Sequence, residues 1–368
     1  MIVIKNSIAW ASPSQWGNEQ RYVAKAIQSS WISGGEYIDK LELDFARFCD
    51  APYAITASNG TTALHMAFLA LGVGKGDEVI VPGFGFMAAA NVALHVGAKP
   101  VFSDVHRENW CMTAEDIDKC LTSKTKAIVP IHTYGNMCDM DPIQELANKH
   151  GVTVIEDAAE AIGSKYKGKM AGTIASIGVF SFHATKTITT GEGGAAITSN
   201  LELRNKMRLF RSHGMSARRY WHEVVGHNFR LTNIQAAIGC AQLEHIDEII
   251  VERTRVYVAY RNLLQKIGGV ILQEFSAGVE PLVWAIAIEL DPSAFPQGRD
   301  AVIDGLKELG IETRPGFYAA SMMPHLYGEA QLPVCEEVSR QVLSLPSSPN
   351  LKGEEIDYIC ASLSDQKQ

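Results

Sequence analysis

The sequence predicts an α/β protein: a mostly parallel sheet flanked by helices, with a smaller α+β part behind it. Three observations carry this reading. Between residues 50 and 200, short β-branched apolar runs alternate with helical patterns, as in a parallel sheet with helical crossovers. Several of these runs are apolar almost throughout, as strands covered on both faces are. From about Asn233 the strand signal gives way to one long helical stretch. The chain, at 368 residues, is long enough for two domains. The change of character divides it into 1–245 and 246–368.

Seven strands are expected: "YAITAS" (53–58), "DEVIVP" (77–82), "KPVFSDV" (99–105), "KAIVPIHTYG" (126–135), "VTVIED" (152–157), "IGVFSF" (177–182) and "AAITS" (195–199). Between the first two, "SNGTTALHMAFLALG" (58–72) sets Leu64, Phe68 and Leu71 at i, i+4 and i+7, the apolar face of a helix. "DPIQELANKHG" offers Asp141 as N-cap, Pro142 at the first position, Gln144 to complete a capping box and Gly151 as the stop. In "GSKYKGKMAG", Lys165, Lys167 and Lys169 alternate with Tyr and Gly, which reads as a solvated hairpin. The stretch from Asn233 to Gly269 reads as long helix bridging the two parts. It is followed by strand-like "VEPLVWAIAIEL" and helix-like "RDAVIDGLKELG".

A hydrophobic content of 46% and a charged content of 20% are ordinary for a globular protein. The net charge of -8 gives no electrostatic footprint for nucleic acid, so an anionic ligand needs a local site. The seven cysteines are an odd number without CxxC spacing, which argues against a disulfide framework or a structural zinc site. The start has no cationic stretch leading into an apolar core, so no secretory leader is expected. No run of 18 apolar residues exists, so no membrane span is expected. A cytoplasmic protein follows.

Three stretches carry chemistry. In "SNGTTALHMAFLALG" a strand runs into a helix whose first turn presents the N–H groups of Gly60, Thr61 and Thr62, a ready anion site. Alone it also reads as a plain capped junction. "VTVIEDAAEA" ends an apolar strand in Glu156 and Asp157, at the sheet edge where ligands bind in open α/β folds. Alone these read equally as helix-capping carboxylates. In "FSFHATKTITTGEGGAAI", Lys186 follows an apolar strand and precedes a glycine-rich turn. Alone it reads as a surface lysine. Together the three match what pyridoxal phosphate needs: a lysine for its aldehyde, an acid for its ring nitrogen and an anchor for its phosphate. "VPGFGFMAAAN" offers Phe84 and Phe86 as a flat group against the ring, although either suits a core.

The run "EDAAEAIGSKYKGKMAGTIASIGVFSFHATKTITTGEGGAAITSN" resembles the DegT/DnrJ/EryC1/StrS sugar-nucleotide aminotransferases. So do "WISGGEYIDKLE", "GDEVIVP", "IHTYGNMCDMDPI", "GHNFRLTNIQAAIGCAQLE" and "IETRPGFY", so the likeness spans nearly the whole chain. Within the group, "KTITTGEGG", "RRYWHEVVGHNFRLTNIQAAIG" and "IETRPGFY" are similar to the GDP-perosamine synthases.

The resemblance implies the fold-type I, aspartate aminotransferase-like architecture: a seven-stranded sheet domain and a small C-terminal domain. It implies pyridoxal 5'-phosphate held covalently by Lys186, which would also shuttle a proton. Asp157 would pair with the ring nitrogen, Glu160 would lie beside the ring and Phe86 would stack on it. Gly60, Thr61 and Ser181 would hold the phosphate, with Asn228 reaching in from the second subunit of a homodimer. Trp31, Ser33, Tyr134, Arg230, Arg314 and Phe317 would line the sugar-nucleotide region, where an arginine fork suits a diphosphate. The implied reaction takes the amino group of glutamate, releases 2-oxoglutarate and aminates a nucleotide-linked 4-keto-6-deoxy sugar.

In the sugar 3-dehydratases of this group a histidine replaces the lysine, and Lys186 sets this chain apart from them. A regulatory relative would have no need of the intact trio. Several departures bear on the substrate, residues 272–284 among them. Ala319 and Ser321 stand where perosamine synthases have Pro and His, and His183 stands where they have Phe. Another keto sugar, TDP- or UDP-linked and aminated at carbon 3 or 4, is the alternative these departures leave open.

Overall fold

The computed structural model describes residues 7–326 and 330–367. Its first nine strands are β1 (Tyr53–Ala57), β2 (Glu78–Pro82), β3 (Lys99–Ser103), β4 (Thr125–Ile128), β5 (Thr153–Asp157), β6 (Lys165–Tyr166), β7 (Lys169–Met170), β8 (Ile177–Ser181) and β9 (Gly194–Thr198). All but the β6–β7 hairpin join one seven-stranded sheet, in the order β1-β9-β8-β5-β4-β2-β3. From β8 through β5, β4 and β2 to β3 the pairing is parallel. β9 runs antiparallel to both of its neighbours.

The apolar composition of the strands has the expected cause. In β2, Val79 and Val81 enter the cluster on one face of the sheet, and Ile80 enters the cluster on the other. All three are buried, so neither face is left for polar side chains.

All seven expected strands of this sheet are present, but β4 is much shorter than "KAIVPIHTYG" suggests. It stops at Ile128, Pro130 follows, and Thr133–Gly135 form a short 3-10 turn. A proline has no N–H for a ladder, and Tyr134 takes a left-handed conformation (φ 61°). The helix Met140–His150 starts earlier than expected, with Asp139 as N-cap and no side-chain cap. Asp141 instead pairs with Lys167, and Gln144 Oε1 is buried without a partner, so there is no capping box. Gly151 does end the helix, in the left-handed region.

The long helical stretch is two helices, Asn233–Glu244 and Ile246–Leu264, broken at His245. Beyond them lie β10 (Val270–Leu272), β11 (Val279–Glu280), β12 (Ile286–Leu290), β13 (Arg314–Pro315) and β14 (Val342–Leu345). Four of these form an antiparallel sheet, β10-β12-β14-β13, packed with the helices Gly298–Glu308 and Gly353–Asp365 over a separate apolar cluster. β11 pairs instead with β6. "VEPLVWAIAIEL" is therefore two strands with an irregular crossing, Leu282 to Ala285, between them. That crossing lies against Gly135, where an added Cβ would meet Leu282 O at 2.3 Å. The N-terminal segment joins the same region: Ile8 bridges Ile311, and the Trp10 indole donates to Ser344 Oγ at 2.9 Å. Among the described residues no helix is long and apolar enough to cross a membrane.

Candidate active site

The C-terminal ends of β5 and β8 open onto a cleft of about 1700 Å³, mouth included. Its far wall comes from Trp284, Arg314 and Phe317. One side is the start of the helix Gly60–Leu71. Asn59 caps that helix by accepting from Thr62 N at 2.9 Å, and the Thr62 hydroxyl accepts from Asn59 N. Thr62 N–H is thus used internally, against the expectation that it would be free. Gly60 and Thr61 N–H find no partner among the described residues, and both residues line the cleft. Space beside Gly60 is tight: a Cβ there would stand 3.0 Å from Ser181 Cβ.

The floor carries the ionisable groups. Asp157 ends β5, is 5% exposed and accepts from Ala159 N at 3.1 Å through Oδ1. Oδ2 takes no partner among the described residues. Burial pushes its carboxyl up to about 6, with Glu160 adding to the rise and Ala159 N–H and Lys186 opposing it. Glu160 Oε2 accepts from Tyr134 N at 2.8 Å, and its Oε1 lies 3.5 Å from Lys186 Nζ. The Lys186 ammonium also sits 3.4 Å from the centroid of the Trp284 ring. Burial lowers the lysine's affinity for its proton, and Glu160 and Asp157 work against that.

Tyr134 is stacked between Phe317 (5.1 Å, 9°) and Trp284 (6.4 Å, 15°). Its left-handed backbone is the strain that clefts of this kind tolerate when the surroundings hold it. Here the Tyr134 N–H is taken by Glu160 and its carbonyl by Trp284 N at 3.0 Å. Phe86 is 63% exposed and lines the cleft, whereas Phe84 is fully buried among Trp110, Tyr134 and Phe317. Only Phe86 is free to meet a ligand. Glu156 points away from the cleft. His132 and the backbone N–H groups of Gly172, Ile174 and Ala175 satisfy it.

The fold thus brings Gly60, Thr61, Phe86, Tyr134, Asp157, Glu160, Ser181, Lys186, Arg314 and Phe317 to one cleft. It does not bring Trp31, Ser33, Asn228 or Arg230 there within the protomer. Trp31 and Ser33 offer their carbonyls to Asn233 at the start of the helix Asn233–Glu244. Asn228 bridges Ser212, and Arg230 is exposed. Of the departures, His183 lines the cleft, while Ala319 is fully buried in the core and Ser321 donates to Glu336 at 2.8 Å. Trp284 and Trp10, both lining the cleft, escape sequence reading. A tryptophan inside an apolar run, or near a chain start, reads as core.

A lysine of weakened basicity, a buried carboxyl with an open oxygen and a helix N-terminus with two unpaired N–H groups suit an anionic, aldehyde-bearing cofactor. The family model of the DegT/DnrJ/EryC1/StrS aminotransferases matches residues 13–364, and the chain belongs to that family of pyridoxal-phosphate-dependent sugar aminotransferases. It is 43% identical to the GDP-perosamine synthase of Escherichia coli O157:H7, covering 96% of both chains. To the GDP-perosamine synthase of Caulobacter vibrioides it is 42% identical, covering 97% of both. Among solved structures it is similar to the aminotransferase from Psychrobacter cryohalolentis, with a TM-score of 0.90, 32% identity and coverage of 96% of this chain and 97% of that one.

Proposed function

We propose that this protein aminates carbon 4 of a nucleotide-linked 4-keto-6-deoxy sugar, taking the amino group from glutamate and releasing 2-oxoglutarate. The carrying observation is Lys186 Nζ at the cleft floor, 3.5 Å from Glu160 and beside the buried Asp157. Likeness to two GDP-perosamine synthases over nearly the whole chain supports the substrate class.

The residues present fit pyridoxal phosphate, and Lys186 would hold it covalently. When bound, the cofactor supplies an aldehyde carbon that receives the amino group and a protonated ring that withdraws electrons. The protein's own groups do the rest. Gly60 and Thr61 N–H with the Ser181 hydroxyl would hold the phosphate, and Phe86, which lines the cleft, would cover the ring. Asp157, whose open oxygen faces the cleft, keeps the ring nitrogen protonated by charge pairing. Glu160 fixes Tyr134 through the Tyr134 N–H and would lie beside the ring. Lys186 Nζ, when neutral, is placed to accept the proton of the donor's α-carbon. Burial favours that form.

Tyr134, Arg314 and Phe317 take the sugar-nucleotide side, with the Arg314 fork suited to the diphosphate. A role for Trp31, Ser33, Asn228 and Arg230 requires a second subunit in a homodimer. Exposed Trp31 (68%), Tyr220 (74%) and Val225 (87%) are apolar surface that such a subunit would cover. The amino sugar would serve surface-polysaccharide assembly, including O-antigen, from the cytoplasm. Incubation with glutamate and a panel of GDP-, TDP- and UDP-linked keto sugars tests the reading. Preference for the GDP-linked 4-keto-6-deoxy sugar supports it, and turnover of only a 3-keto or another nucleotide's sugar overturns it.

A further inference from the structure

Arg253 lies on the helix Ile246–Leu264 and is 6% exposed. A buried arginine ordinarily sits against a carboxylate. Among the described residues none pairs with this one. Its Nη2 donates to Lys186 O at 3.2 Å and its Nη1 donates to Trp284 O at 3.1 Å. Nε is buried without a partner. Arg253 and Ser14, whose hydroxyl is also unpaired, line a small cavity on the far side of Lys186. Trp284 in turn donates its indole N–H to Thr185 O at 2.6 Å and lays its ring against Lys186 Nζ.

We propose that Arg253 is a positioning residue for Lys186, clamping the lysine's main chain to that of Trp284 while an unneutralised positive charge stands behind the amine. The proposal rests on Lys186 being the cofactor lysine. The clamp holds both ends of one arrangement: the lysine that points into the cleft and the ring that packs against its ammonium. The groups facing that ammonium are Glu160 and Asp157 from the segment at the end of β5, the Trp284 ring, and Arg253 itself. The carboxylates and the ring favour the charged amine. Burial and Arg253 favour the neutral one, and burial also weakens the hold of Arg253 on its own proton, to about 10.

The test compares holoenzyme carrying Arg253→Met or Arg253→Lys with the parent. The readouts are kcat, KM for glutamate, the visible band of the lysine-bound cofactor, and the pH midpoint at which Lys186 of the cofactor-free full chain reacts with an amine reagent, read by peptide mass spectrometry. The methionine variant is expected to lose about 10–100-fold in kcat at nearly unchanged KM, with the Lys186 midpoint moved up. The lysine variant keeps the charge, so its midpoint stays near the parent's. Its kcat remains low, because one ammonium cannot span both carbonyls as the fork does. Parental kcat in Arg253→Lys overturns the clamp, and that variant carries the test should Arg253→Met fail to fold. Equal loss of kcat in both variants with unmoved midpoints reduces Arg253 to a structural residue and also overturns the proposal. A parent protein that shows no visible band at all defeats the reading of Lys186 instead.

Discussion

Replacing Asp157 by Asn should make the cofactor-free protein more stable while impairing its chemistry. Burial holds the Asp157 carboxyl at about 6 against an ordinary 3.8. The folded protein therefore keeps this proton over a range in which the unfolded chain has lost it, and the charged carboxylate costs stability. The cost is absent below about pH 4, where both states are protonated, grows as the pH rises through about 6, and is constant above. At about 1.36 kcal/mol per pH unit, the interval amounts to ~3 kcal/mol. Asn removes the charge and keeps an oxygen for Ala159 N–H. Urea unfolding of cofactor-free parent and variant, followed by tryptophan fluorescence, should show the variant up to ~3 kcal/mol more stable near neutral pH, with the two converging toward about pH 4. With pyridoxal phosphate added, the parent should gain more than the variant, because ligand binding stabilises by mass action and the ring nitrogen has its partner only in the parent. A variant less stable than the parent at neutral pH, or a gap that does not change with pH, refutes the reasoning.

Other substitutions address the remaining parts. Lys186→Ala should keep the fold by circular dichroism, yet lose the visible cofactor band and more than about 10³-fold in turnover, since one group both anchors and shuttles. In steady-state assays Asp157→Asn should reduce kcat far more than Glu160→Gln, which still accepts from Tyr134 N; equal effects would mean that Asp157 is not the ring-nitrogen partner. His183→Phe should alter the preference among keto sugars in kcat/KM, while Ser321→Ala should leave it unchanged, because only His183 lines the cleft. Gly135→Ala should destabilise the protein by about 3 kcal/mol in urea titrations, since its φ of +100° and the Leu282 carbonyl at 2.3 Å leave no place for a Cβ.

Which features were legible in the sequence follows from where the signals are local. The central strands were, because β2, β5 and β8 are covered on both faces and so carry apolar runs. The cofactor end of the site was, because Gly60, Asp157 and Lys186 each lie at or just beyond a strand end that pattern alone locates. Tyr134 was expected at the site but as part of a strand. Its left-handed backbone depends on Glu160 and Trp284, which are distant in sequence. Arg253 and Trp284 gave no local signal at all. An arginine in a helix reads as solvated and a tryptophan in "LVWAIAI" reads as core, and only the fold brings both against Lys186. Ala319 and Ser321 show the opposite limit: they follow a site motif in sequence, yet Ala319 is fully buried and Ser321 donates to Glu336.

The most direct test of the account is a visible absorbance scan of the purified protein before and after glutamate. A band from the cofactor bound to Lys186 should disappear on adding glutamate and return with 2-oxoglutarate. A protein that shows no band even after incubation with pyridoxal phosphate, or a band that glutamate leaves untouched, would contradict it.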